Sequence, residues 1–139
     1  MADTDTKKTR RVFRNIAVMQ ITSYRLPPAG VVSILHRVSG ALIFLLLPLV
    51  IWMFDASVTS EVSYARFTSA FQGAGGWFVK LVALALIWSW LLHTIAGVRY
   101  LWMDVSHAAV TREFGRWSAL AALISSLLLT IWLGWKLYL

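Results

Sequence analysis

Three stretches of the chain run without a charged residue, between Arg37 and Asp55, between Lys80 and Arg99, and between Arg116 and Lys136. Each approaches the ~20 residues that cross a hydrocarbon core ~30 Å thick, and the first two lengthen if their flanking charges snorkel or face protein. The pattern therefore predicts an all-α integral membrane protein with three transmembrane helices, at about 31–54, 77–103 and 116–137. The paired prolines of YRLPPAG resist helix until the first span begins, and QGAGG at 72–76 reads as a flexible lead into the second. This divides the chain into an arm and turn over 1–30 and a transmembrane domain over 31–139. The first residues, MADTDTKKTRR, lack the apolar stretch of a secretory signal and read as a short polar arm kept in the mature chain.

Composition agrees with the pattern. Of 139 residues, 59% are hydrophobic and only 14% charged, with a mean hydropathy of +0.70, which excludes an ordinary soluble domain. The net charge of +7 changes the picture only through its location, because Lys7, Lys8, Arg10, Arg11, Arg14 and Arg25 all precede the first span. Beside a membrane such a cluster reflects the positive-inside rule and attraction to anionic lipid, not nucleic acid. The amino terminus is accordingly expected in the cytoplasm. The loop after the first span carries Asp55 and Glu61 against Arg66, as an outer loop should, and Arg112 and Arg116 return the charge to the inside. Three spans then leave the carboxyl terminus on the periplasmic side. Trp52, Trp77, Trp132 and Trp135 fall at the outer ends of the spans and Trp102 and Trp117 at the inner ends, as interfacial aromatic belts require, whereas Trp88 and Trp90 lie mid-span. There is no cysteine, so neither disulfides nor thiolate ligands are available.

The chemistry that remains belongs to the histidines. His93, in WSWLLHTIAGVRYLWMD, lies about ten residues from the inner end of its span, hence ~15 Å deep. The ordinary reading of a lone imidazole there is a hydrogen bond to a neighbouring helix. Gly97, one turn on, widens the options: the same face offers a ligand nitrogen and then bare backbone against which a flat macrocycle can lie. The first span repeats the spacing with His36 and Gly40. There Ser33, His36, Arg37 and Gly40 share one broad face, either as a packing and salt-bridge cluster or as a site for carboxylates or a polar headgroup. Arg99 is open to two readings, a partner for an anionic group or a residue anchoring the helix end by snorkelling. Tyr100 reads as packing, Asp104 as an inner-interface residue and His107 as solvated loop.

The string YRLPPAGVVSILHRVSG, followed about fifty residues later by HTIAGVRYLWMD, resembles the cytochrome b membrane-anchor subunits of succinate dehydrogenase, respiratory complex II. The likeness runs from about Arg14 to Asp104 and rests on the S-x-x-H-R and H-x-x-x-G-x-R-x-x-x-D patterns. Ahead of the first span the chain reads RNIAVMQITSYRLPP, where the family more often has an Arg-Pro-Leu-Ser-Pro-like string. The resemblance implies a three-helix anchor in the bacterial inner membrane that forms a haem-binding bundle with a second anchor subunit. It implies His93 as one axial ligand of haem b, the other coming from that second subunit. It further implies Ser33 and Arg37 in the ubiquinone site, and His36 and Arg37, with Arg99 a candidate, near the haem propionates. A flavoprotein and an iron-sulfur subunit would complete a heterotetramer, open to further trimerisation, that feeds electrons from the tricarboxylic acid cycle into electron transport.

The residues leave three rivals. An anchor of a quinol:fumarate reductase uses the same machinery in reverse, and a structural anchor would lack haem. A small transporter or channel subunit is disfavoured, because the polar residues cluster at one end and at one mid-depth position and line no continuous path.

Overall fold

The structure is a computed structural model that describes residues 25–138. The arm expected over 1–30 thus lies largely outside the described residues. Four α-helices follow: α1 (Pro28–Val58), α2 (Glu61–Ser69), α3 (Gly76–Val105) and α4 (Arg112–Tyr138), with a 3-10 turn, His107–Val110, between the last two. No strand occurs among the described residues. Helices α1, α3 and α4 are long and apolar enough to cross a membrane.

Each long helix starts earlier than the apolar run it contains, for local reasons. Pro27 is extended (φ −65°, ψ 154°) and Pro28 takes the first helical position, where a missing N–H leaves nothing unsatisfied. In α4 the first turn is polar, and Thr111 caps it: its Oγ1 accepts from the Phe114 N–H at 3.3 Å. Hydropathy delimits what lies in lipid, whereas capping delimits the helix. Pro48 sits inside α1 without ending it, as proline does in spans where neighbours can satisfy the freed backbone groups.

Helix α2 was not expected from the sequence. Ser60 and Ser63 build a reciprocal cap, the Ser63 N–H donating to Ser60 Oγ at 3.1 Å and the Ser60 N–H to Ser63 Oγ at 3.0 Å. Glu61 in its first turn and Arg66 in its last complement the helix dipole. Its path back into α3 is tight. A Cβ on Gly76 would collide with the carbonyl oxygen of Phe71.

Small side chains make the core. Val32, Ala96 and Ala119 form its centre, with Ala29, Tyr100 and Leu123 packed against them, and Ser39, Ser89 and Ser126 are also buried. Phe44, Leu45, Trp52, Trp90 and Ile131 point outward. Lipid is as apolar as leucine, so spans gain little by hiding large side chains from it and much from close backbone approach. Helix α3 is central, touching both α1 and α4, which also touch each other.

Candidate functional site

Helices α1 and α3 meet through their two histidines. The rings of His36 and His93 stack, with centroids 4.1 Å apart and planes 7° from parallel. Each ring lies over the other helix's glycine. A Cβ on Gly40 would stand 2.9 Å from His93 Cε1, and one on Gly97 would stand 3.6 Å from His36 Nε2. The repeated His–Gly spacing therefore has a structural use absent from the sequence reading: the bare backbone at Gly97 seats an imidazole of α1. An antiparallel pair with the same four-residue step on both strands of contact brings each ring to the opposite gap.

His93 is held by its Nδ1. That nitrogen lies 3.0 Å from the backbone carbonyl oxygen of His36 and 3.3 Å from Ser39 Oγ. A carbonyl oxygen only accepts, so Nδ1 carries the proton, and in the neutral ring Nε2 is left with its lone pair. Ser39 donates to the same carbonyl at 2.9 Å and is fully buried. This is how proteins orient an imidazole that binds metal through its other nitrogen. The stacked His36 ring covers a face of His93, whereas coordination uses the lone pair in the ring plane, so the two arrangements are compatible. Two rings stacked face to face cannot serve as opposite axial ligands of one ion.

Ser33 lies half-buried one turn before His36, and Arg37 is exposed. Both remain near the histidine pair along α1 without hydrogen-bonding to it, so the broad face read from spacing splits into an inward half, His36 and Gly40, and an outward Arg37. Arg99 goes elsewhere. Its Nε donates to Ser118 Oγ at 2.8 Å and its Nη2 to the Gly115 carbonyl at 3.1 Å, tying α3 to α4. Neither sequence reading of Arg99 included this interhelical bridge. Tyr100 presents its ring edge to His36 with centroids 5.2 Å apart, and its buried hydroxyl has no hydrogen-bond partner among the described residues. Asp104 and His107 are exposed.

Two residues at the site escaped the sequence reading. Ser39 stands three positions after His36, a spacing that did signal a shared face, but serines are common in spans. Ser118 carried no signal, since its partner lies on another helix. Among the described residues no three His, Cys, Asp or Glu side chains gather, so the imidazole nitrogen suits a metal already held by a macrocycle better than a bare ion caged by these residues.

These features define an all-helical, three-span membrane protein with one oriented imidazole deep between two spans. The chain belongs to the succinate dehydrogenase/fumarate reductase transmembrane subunit family, whose model matches residues 7–133. It is similar to the succinate dehydrogenase cytochrome b556 subunit of Coxiella burnetii, 29% identical over 116 residues that cover 84% of this chain and 90% of that protein. The protein of the same name from Paracoccus denitrificans is 30% identical over 84 residues, 60% of this chain and 62% of that one. That from Rickettsia prowazekii is 25% identical over 87 residues, 63% and 64% respectively. The chain is thus a multi-pass inner-membrane anchor of an oxidoreductase complex and associates with its other subunits.

Proposed function

We propose that this subunit serves the quinone end of succinate:ubiquinone oxidoreductase, giving one axial ligand to a b-type haem and gripping the ubiquinone that accepts electrons from succinate. The observation that carries the reading is the Nδ1 contact of His93 with the His36 carbonyl, which leaves Nε2 as a fixed ligand nitrogen. The relatives named cytochrome b556 support a b-type haem, and family membership supports the quinone. Haem, when bound, supplies a one-electron carrier. His36 and Arg37, at the end of the bundle nearer the chain's entry into the membrane, are its propionate neighbourhood. Arg99, the further candidate for that neighbourhood, is tied to α4 through Nε and Nη2.

Ser33 donates a hydrogen bond to a quinone carbonyl oxygen. Arg37 offsets the negative charge that develops on the quinone oxygens during reduction. The entry of the chain faces the cytoplasm and the carboxyl terminus the periplasm, so the quinone lies beside the iron-sulfur subunit that docks on the cytoplasmic face. The flavoprotein oxidises succinate, and a second anchor subunit brings the other axial histidine. A quinol:fumarate reductase shares this arrangement, and the relatives, all named as succinate dehydrogenase subunits, favour the succinate direction.

The test is a reduced-minus-oxidised spectrum of the purified complex, wild type against His93→Ala. The wild type should show a b-type difference band and the variant should lose or shift it. An unchanged low-spin spectrum in an assembled variant would remove His93 from the ligand set, and no band in the wild type would make this a haem-free anchor.

A further inference from the structure

A second polar centre lies at the end of the bundle where the chain enters α1, outside the histidine site. A cavity of about 690 Å³ opens between the start of α1, the end of α3 and the start of α4. Arg25, Arg99, Arg112 and Arg116 line it, against the single carboxylate of Glu113. Arg99 is only 8% exposed, and its bonds to Ser118 and Gly115 use Nε and Nη2. Among the described residues its Nη1 is buried with no hydrogen-bond partner. An unsatisfied nitrogen on a buried cation is costly, and such a group calls for an anionic acceptor. The amino end of α4 points its partial positive charge at the same cavity, which holds Thr111, Arg112 and Glu113.

We infer that this cavity binds the phosphate of an anionic phospholipid. Guanidinium forks match phosphate oxygens in pairs, and Arg99 supplies a buried donor while Arg112, Arg116 and Arg25 supply exposed ones. The remaining wall is apolar, with Pro28, Met103 and Val110, and so suits the glycerol end of a lipid better than a free ion. The level is also right. The cavity sits where the three spans leave the apolar zone, the depth at which headgroup phosphates concentrate. This assignment is independent of the haem and quinone reading.

The test uses the purified complex in detergent, stripped of lipid and titrated with phosphatidylglycerol, phosphatidylcholine or inorganic phosphate, with bound lipid counted by native mass spectrometry. Wild type should retain phosphatidylglycerol in preference to phosphatidylcholine, and millimolar phosphate should not displace it. In Arg112→Gln/Arg116→Gln, which alters two exposed residues and spares the bridge to Ser118, phosphatidylglycerol affinity should fall roughly thirtyfold, as two interfacial charges are removed. Arg99→Gln should weaken binding further, and Arg99→Lys should restore only part of it. Equal retention of the two lipids, or unchanged retention in the double variant, would overturn the site. Displacement by phosphate would overturn its assignment to lipid, and loss of the soluble subunits with lipid retention intact would assign the arginines to protein docking.

Discussion

His93 reaches the backbone of α1 through one ring nitrogen and keeps the other free, and that division follows from a single 3.0 Å contact with a carbonyl oxygen. The two histidines and their glycines were legible in the sequence because repeated i+4 spacing is a local signal. The role of each glycine was not, because it depends on the register between helices about sixty residues apart in sequence. Arg99 shows the same limit: a charge near a helix end has several uses, and Ser118 adds one from another helix. For the quinone, Ser33→Ala removes one small donor and leaves packing nearly intact. It should slow ubiquinone reduction severalfold, by the ~1 kcal/mol of a neutral hydrogen bond, while leaving the haem spectrum alone. Arg37→Leu removes the charge proposed to serve both quinone and propionate and should slow quinone reduction at least tenfold and shift the haem potential. Succinate oxidation with a soluble dye should stay normal in both assembled variants. Normal ubiquinone reduction in both would end the quinone assignment.

At the scale of elements, the three long helices were visible as apolar runs and α2 was not. Its nine residues carry mixed polarity, and its cap is a serine pair where a Ser-x-x-Glu box would have been conspicuous. The contact of α1 with α3 depends on having no side chain at position 40. In Gly40→Ala the added carbon would meet a ring atom of His93 at 2.9 Å, and the ring cannot yield toward His36, stacked on it. Thermal unfolding of the detergent-solubilised complex should show a loss of about 1–3 kcal/mol, typical of overpacking, with an altered haem spectrum. Gly30→Ala is the control, since its new carbon meets nothing closer than 3.6 Å. Equal stability of both variants would mean that the helices part easily at this crossing.

The whole molecule has few large side chains to hide and is joined instead by small residues, three buried serines and the Arg99 bridge. Composition and run length were enough to place it in a membrane, because both are sums over many residues. What they could not supply is the surface left for partners, since an outward leucine faces lipid or another helix with the same pattern. Orientation follows from charge alone and is open to direct measurement. Reporter fusions near Glu61 and at Leu139 should read periplasmic and one near Glu113 cytoplasmic. A cytoplasmic signal at Leu139 would contradict the three-span count.

The reciprocal seating of two rings over two glycines also bears on the order of maturation. Both halves of the lock belong to one chain, so Nε2 of His93 is aimed as soon as α1 and α3 meet, before any partner arrives. The entropy of fixing that imidazole is then spent during insertion of the subunit, and binding of the proposed haem would become a capture step on a nitrogen already placed.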